Sequence, residues 1–202
     1  MTPGSLRQGS LDGFLARVLE GGVDAVQLRV KELDARPLLR LAEVARRRTE
    51  EFGALFIVND RVDLAIAAGA DGVHLGQDDL PVAVARAQLA AAGLTGALIG
   101  WSTHREAEVL AAGDSGADYI GVGPVYATPT KPGRQAVGLD LVGFASTRAS
   151  QPLFAIGGVD LSTLPSVIEA GARRVAVVRA LTEAEDPGAV ARAMSAQLRA
   201  AG

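Results

Sequence analysis

The stretch LFIVNDRVDLAIAAGADGVHLGQDD, residues 55–79, decides the fold because it contains a complete strand–helix–strand unit. The apolar run at 55–58 predicts a buried strand, and the leucine and alanine stripe after it predicts a helix that stops at Gly69. A second strand is predicted at 72–75, before the break at Gly76. Two short apolar strands joined by a helix are typical of a parallel βαβ unit.

An acidic residue follows each of these two strands. Parallel strands joined by a right-handed crossover run the same way, so Asp60 and Asp79 are predicted to lie at one mouth of the sheet. Neighbouring strands are about 4.8 Å apart, so both carboxylates could bind one Mg²⁺, which takes few carboxylates together with phosphate oxygens. The spacing equally allows a structural role, in which Asp60, and either Asp78 or Asp79, only cap the helices that follow.

An internal repeat extends the unit along the chain. A helix stop followed by a strand occurs four times, as GGVDAVQLR (21–29), AGADGVHLG (68–76), SGADYIGVG (115–123) and AGARRVAVV (170–178). Together with apolar runs at 55–58, 98–101 and 153–156, the repeat gives seven predicted strands, close to the eight of a TIM barrel. Helices are also predicted at 11–19, 37–52, 81–92, 105–112, 141–149, 162–170 and 186–201.

The alternation of strands and helices favours an α/β fold, a TIM (βα)8 barrel, over an open doubly wound sheet. A chain of 202 residues, 49% hydrophobic and 21% charged, is long enough for one sizeable core, so we predict a single domain over 1–202. The segment Met1–Ser10 has no apolar run. The first strand of the barrel is therefore missing or irregular here, or lies upstream of Met1.

Composition narrows the classes of function and location. A net charge of -3 with scattered basic residues gives no electrostatic reason to expect nucleic acid. The chain has no cysteine, which excludes disulfides and fits a cytoplasmic protein. No apolar run is long enough to span a bilayer, so no membrane partner is expected. The sequence leaves open whether the protein forms a homo-oligomer.

Polar residues follow several predicted strands, where barrel enzymes place their working groups. Gln27, Arg29 and Lys31 alternate along an extended segment, which suits a polyanion but also fits a solvated strand end. Ser102 can donate a hydrogen bond to a ligand, although serine before a helix is often only a cap. His74, inside a strand, is predicted to be a packed core residue.

The segment PVYATPTKPGR, residues 124–134, holds hydroxyls and Lys131 on a backbone stiffened by prolines. Such loops often bind ligands, and Lys131 can neutralise a phosphate, but the segment also fits a rigid surface loop. Gly158 and the Val178–Arg179 pair follow the last two strands. Loops in these positions commonly bind phosphate through backbone N–H groups, so a second anion site is predicted there.

Taken together, the motifs resemble the thiamine phosphate synthase family over nearly the whole chain from Val26 onward. The shared segments, in the order of the family, are QLRVK, VNDRVDLA, GADGVHLGQDDLP, GWSTH, YIGVGPVYATPTK, AIGGV and VAVV. The resemblance implies a TIM barrel that couples a hydroxymethylpyrimidine diphosphate to a thiazole phosphate, or a carboxythiazole phosphate, with release of pyrophosphate. It also implies Mg²⁺ as the cofactor and two small-molecule substrates.

The resemblance implies a role for each matching residue. The residues implied to bind the pyrimidine diphosphate are Gln27, Arg29, Lys31, Asn59, Ser102 and Lys131. Of these, Arg29, Lys31, Lys131 and Ser102 are expected to act in catalysis. Asp60 and Asp79 are implied to hold Mg²⁺. The residues implied to hold the thiazole phosphate are Thr128, Thr130, Gly158, Val178 and Arg179.

The chain departs from the family pattern at Val30, which replaces an acid, at Arg179, which replaces a serine, and in the missing opening strand. Two other functions remain open. One is the related thiazole tautomerase, against which Lys131 argues, because those proteins generally lack this lysine. The other is an inactive homologue that only binds thiamine phosphates.

Overall fold

All seven predicted strands are present in the computed structural model, which describes residues 9–30, 33–129 and 135–201. They form one parallel sheet in which each strand pairs with the next in chain order. A doubly wound sheet reverses its strand order at a switch point, so the consecutive order is that of a βα barrel. The strands are β1 (Ala25–Leu28), β2 (Leu55–Asn59), β3 (Gly72–Leu75), β4 (Leu98–Thr103), β5 (Tyr119–Val122), β6 (Leu153–Ile156) and β7 (Val175–Ala176).

Helices fill the intervals between the strands, and every predicted helix is confirmed with shifts of a few residues at its ends. The helices are α1 (Leu11–Glu20), α2 (Ala35–Phe52), α3 (Val62–Ala67), α4 (Val82–Ala91), α5 (Glu106–Ser115), α6 (Gly138–Arg148), α7 (Leu164–Glu169), α8 (Arg179–Thr182) and α9 (Pro187–Ala201). The four-residue α8 was not predicted. None of the described helices combines the length and the apolar character needed to cross a membrane.

Three consecutive arginines of α2, Arg46 to Arg48, are not all exposed to solvent. Only Arg47 is exposed. Arg46 forms an ion pair with Asp71 at 2.8 Å, and Arg48 pairs with Asp12 of α1. These arginines therefore connect α2 to neighbouring elements.

An aspartate that recurs in the repeat joins successive strands. The Asp71 carboxylate, just before β3, accepts a hydrogen bond from the Phe56 N–H of β2 at 2.7 Å and also binds Arg46 of α2, the helix that precedes β2. Asp118 repeats this arrangement 47 residues later, where it accepts from the Ile99 N–H at 2.7 Å and from an arginine of α4. The acidic residue of the repeat thus fixes the start of one strand against the start of the strand before it.

The interior of the barrel is lined by small and polar side chains on β4 and β5. Outward-facing residues such as Phe56, Ile99 and Ile120 are fully buried in the layer of core that the helices cover. On the inward face, Ser102 and Gly121 leave space that larger residues fill in most barrels. A cavity of about 980 Å³ therefore opens inside the sheet.

The barrel has a gap between β7 and β1, since no pairing joins these two strands within the described ranges. The helices α1 and α9 pack against each other beside this gap. An eighth strand before α1 would stand here. Most of the segment Met1–Ser10, which has no apolar run, lies outside the described residues.

We expect Asp71→Ala to lower the free energy of unfolding by about 2 kcal/mol, because it removes an acceptor shared by a backbone N–H and a guanidinium. Asp71→Asn keeps an acceptor for the N–H and should cost less. Urea denaturation would measure both changes. The control, Asp114→Asn on the exposed side of α5, should change stability by less than about 0.5 kcal/mol. Equal stabilities for Asp71→Ala and the control would contradict this role.

Candidate active site

The cavity runs along the inside of the sheet from the amino ends of the strands to their carboxyl ends, and it gathers residues that the sequence analysis had singled out separately. Its wall contains Gln27, Arg29, Asn59, Ser102, Thr128, Gly158, Val178 and Arg179. Eight of the thirteen predicted site residues therefore share one cavity. Lys31, Thr130 and Lys131 lie outside the described residues. The structure places the eight together, while the role of each one stays a prediction.

Asp60 lies in a strained turn at the end of β2. Its φ of 63° is the only positive value among the non-glycine residues that the structure describes. The Arg61 N–H donates to the Asn59 carbonyl at 2.8 Å and closes a three-residue turn around Asp60, a conformation that is rare and costly. The Asp60 N–H donates to the His74 carbonyl at 2.8 Å, which ties this turn to β3.

Asp79 is held at the end of β3 by the backbone. Its Oδ2 accepts a hydrogen bond from the Gly76 N–H at 2.7 Å, so the carboxylate folds back toward the strand that precedes it. Asp60 and Asp79 therefore lie at the ends of two paired strands, at the rim of the cavity and outside its wall.

The alternative in which these aspartates act only as helix caps is wrong. The residue that caps α3 is Arg61, and α4 is preceded by Pro81, which was predicted to be its first helical residue. Neither helix has a side-chain hydrogen bond at its cap. Capping of α3 therefore does not explain the strained backbone at Asp60.

The donor set at the rim suits a hard divalent cation. Within the described residues, no group of three or more acidic, histidine or cysteine side chains could hold a metal by itself. Two carboxylates leave most coordination positions to water and to a ligand. This is the manner in which proteins usually bind Mg²⁺ beside phosphate groups.

Ser102 belongs to β4 and does not cap α5, whose cap residue is Arg105. The Ser102 Oγ lies 2.9 Å from Nε2 of His74, and Nδ1 of His74 lies 3.2 Å from the Tyr119 hydroxyl. His74 is 9% exposed, which confirms it as a packed residue. Burial, and then the charge of Asp118, raises the pKa of the Tyr119 phenol, so that this group stays protonated.

The first part of the 124–134 loop packs against the end of β6. The Tyr126 N–H donates to the Gly157 carbonyl at 3.0 Å, and Thr128 continues into the cavity wall. Gly158 has φ of 68°, and a Cβ there would lie 2.6 Å from Cβ of Tyr126. Glycine is therefore required at 158 to seat this loop, in addition to any anion that its backbone binds.

Arg179 begins the short helix α8. Its guanidinium pairs with Glu183 at 2.8 Å, and this hydrogen bond raises the pKa of Arg179. The side chain thus has a partner one turn along its own helix. Val178, Arg179 and Glu183 all line the cavity.

Two contacts of Ser102 were not predicted from the sequence. The first is the hydrogen-bonded cluster that it forms with His74 and Tyr119. The second is the Gln77 side chain, which donates to the Ser102 carbonyl at 2.6 Å. The partners are 25 to 45 residues apart in the chain. The only signal in the sequence is the presence of Gly100 and Gly121, which leave space for an inward-facing ring.

Comparison with protein families places the chain clearly. The sequence model of the family described as thiamine monophosphate synthase matches residues 2–181. A curated thiamine-phosphate synthase of Gloeobacter violaceus is 59% identical over 175 residues, which cover 87% of this chain and 50% of that protein. The chain thus spans about half the length of this relative. A thiamine-phosphate synthase of Acidothermus cellulolyticus is 51% identical over 197 residues, which cover 96% of this chain and 91% of that protein.

Solved structures agree with the assignment of the fold. A thiamine phosphate pyrophosphorylase from Pyrococcus furiosus superposes with a TM-score of 0.89 at 32% identity, covering 99% of this chain and 94% of that chain. A 3-hexulose-6-phosphate synthase from Salmonella typhimurium gives a TM-score of 0.72 at 20% identity, covering 100% of this chain and 96% of that chain. The second likeness supports the barrel fold alone.

We expect Asp60→Gly to be more stable than Asp60→Ala by about 1 kcal/mol, because only glycine adopts the left-handed backbone without steric cost. Both variants lose the carboxylate, so the comparison isolates the backbone. Urea denaturation of the two variants without substrate would measure the difference. Equal stability would show that Asp60 does not hold a left-handed conformation in solution.

Proposed function

We propose that this chain, which belongs to the thiamine monophosphate synthase family, couples a hydroxymethylpyrimidine diphosphate to a thiazole phosphate, forming thiamine phosphate and releasing pyrophosphate. The observation that carries the proposal is the single cavity whose wall contains residues predicted for both substrates. The similarity to curated thiamine-phosphate synthases, at about half of all positions, supports the same reaction.

The two substrates are proposed to occupy opposite sides of the cavity. Gln27 of β1, Arg29 directly after β1, Asn59 of β2 and Ser102 of β4 would bind the pyrimidine diphosphate. Thr128, Gly158 and the Val178–Arg179 backbone come from the loops after β5, β6 and β7, and they would bind the thiazole phosphate. Lys31, Thr130 and Lys131 lie outside the described residues, and we assign them to these two sets from the sequence alone.

Asp60 and Asp79 are the residues that would hold Mg²⁺. Their paired strand ends and their carboxylate oxygens fit this ion. When bound, Mg²⁺ supplies positive charge to the diphosphate oxygens. The strain at Asp60 supports a functional role, since strained backbone tends to persist where function requires it.

The proposed chemistry needs no nucleophile from the protein. The bond between the pyrimidine methylene carbon and the diphosphate oxygen breaks, and its electron pair leaves with the pyrophosphate. The thiazole nitrogen then donates its lone pair to that carbon and forms the new C–N bond. Arg29, Lys31 and Lys131 would stabilise the charge that develops on the leaving group, and Ser102 would help to orient the pyrimidine.

Neither described departure from the family pattern removes a group from the proposed site. Val30 is partly buried and packs against the core. Arg179 is paired with Glu183, and only the backbone at this position is needed for phosphate. We therefore propose an active enzyme. We also propose that it is a single catalytic domain and, from its lack of cysteine, that it works in the cytoplasm.

The direct test is an assay of the purified protein with Mg²⁺ and both substrates. We expect thiamine phosphate and pyrophosphate to form in equal amounts. Binding of the substrates without turnover would instead indicate an inactive homologue. Interconversion of thiazole tautomers without coupling would indicate a tautomerase, and either result would contradict the proposal.

We expect Asp79→Asn to raise the Mg²⁺ concentration needed for half-maximal activity by at least tenfold, roughly the minimum effect of losing even an outer-shell partner of a metal ligand. The matched control is Asp78→Asn, which removes the same charge from the neighbouring, exposed residue. Titration of activity with MgCl₂ would measure both variants. An unchanged requirement for Asp79→Asn, or an equal rise in the control, would remove Asp79 from the metal site.

A further inference from the structure

The loop after β5 starts at Gly123, a buried residue that directly follows the strand. The Gly123 N–H donates to the Thr103 carbonyl of β4 at 3.2 Å. A Cβ at 123 would lie 2.0 Å from the Ile156 carbonyl oxygen, so β6 packs closely against this residue from the other side. Gly123 therefore marks the point at which the loop leaves the sheet.

The carbonyl of Gly123 receives its hydrogen bond from a side chain. Among the described residues, no backbone N–H donates to this oxygen, because β4 ends at Thr103 and the chain turns into α5. A buried carbonyl group needs a partner. The imidazole of His104 supplies it, since Nδ1 of this ring contacts the Gly123 carbonyl oxygen.

The partner determines which nitrogen of His104 carries a proton. A carbonyl oxygen only accepts hydrogen bonds, so Nδ1 must be the donor. The ring of His74 differs, because both of its nitrogens contact hydroxyls, which can donate or accept. Nε2 of His104 is enclosed by protein although the residue lines the cavity, so the ring offers no N–H to a ligand.

The backbone of His104 is fixed by the start of α5. The His104 N–H donates to Oε2 of Glu108 at 2.8 Å, and Oε1 of Glu108 accepts from Nε of Arg105 at 2.6 Å. Glu108 lies in the first turn of α5 and is 8% exposed. Both the backbone and the ring of His104 are therefore held in place between α5 and the loop after β5.

This loop leads to a residue of the cavity wall. The N–H groups of Val125 and Tyr126 donate to backbone carbonyls at and just after the end of β6, at 2.9 and 3.0 Å. On the opposite side, Gly123 is tied to β4 by its N–H and to His104 by its carbonyl. Thr128 follows two residues after Tyr126 and lines the cavity. The base of the loop is thus held from both sides before the chain reaches Thr128.

We propose that His104 is a positioning residue which, through the Gly123 carbonyl, sets the path of the loop that carries Thr128, and thereby the affinity of the site for the phosphate of the thiazole substrate. The identity of this ligand rests on the proposed function, whereas the contact between His104 and the loop does not.

The contact can be tested without any activity. The chain has two histidines, so ¹⁵N-labelled histidine gives two sets of imidazole signals, and loss of one set in His104→Asn assigns them. At neutral pH we expect His104 of the full chain to carry a proton on Nδ1, as donation to a carbonyl requires. A His104 ring without a proton on Nδ1 would overturn the proposal.

Steady-state kinetics of two matched variants test the consequence for the ligand. Asparagine and leucine have similar shapes, but only asparagine keeps an N–H donor at the position of Nδ1. We expect His104→Leu to raise KM for the thiazole phosphate about tenfold, the effect of one hydrogen bond, with KM for the pyrimidine diphosphate little changed. His104→Asn should retain most of the wild-type affinity.

Equal KM values for the thiazole phosphate in His104→Asn and His104→Leu would overturn the proposal, and so would an equal rise of KM for both substrates. A wild-type protein without synthase activity would contradict the proposed function alone and leave the ¹⁵N result standing.

Discussion

Consecutive parallel pairing of the seven strands is the constraint on which the other features of this protein depend. It turns every carboxyl end toward one mouth, so residues that are far apart in the chain become neighbours. It also sets the level of each inward-facing residue. His74, Gly100 and Tyr119 fall on one level only because β3, β4 and β5 pair in this register. A shift by one residue would turn the polar side chains of these strands toward the helices.

The same pairing explains how the barrel combines stability with an open interior. Its stability comes from the layer between strands and helices, where the large apolar residues are buried, and from aspartates such as Asp71 and Asp118 that join successive strands. The interior is then free to carry small and polar residues. Strain is concentrated at Asp60, at the rim. The parts that hold the fold together and the parts proposed to bind ligands are therefore largely separate.

The sequence predicted the strands and helices well because the repeated joint of glycine, small residue and strand marks the start of four strands. It also predicted which residues would share the cavity, since the direction of parallel strands fixes where each one ends. The hydrogen bonds between distant residues could not be predicted. The contact of Tyr119 with His74 depends on the exact register, and the pairing of Arg46 with Asp71 depends on how α2 rotates against the sheet.

The turn at Asp60 was only partly predictable from the sequence. Asparagine and aspartate tolerate the left-handed conformation better than most residues, so Asn59-Asp60 permitted this turn without predicting which residue would adopt it. A helix cap and a metal ligand look alike in sequence, because both place an aspartate just after a strand and before a helix. The absence of a side-chain hydrogen bond at the start of α3 counts against the cap, while the metal ligand stays a proposal.

The most direct test of the central claim is a crystal structure with Mn²⁺ in place of Mg²⁺ and with pyrophosphate, measured with anomalous scattering. The account predicts one strong anomalous peak in contact with carboxylate oxygens of both Asp60 and Asp79 and with the pyrophosphate. A peak bound elsewhere, or carboxylates of Asp60 and Asp79 that face away from each other around an empty rim, would contradict it.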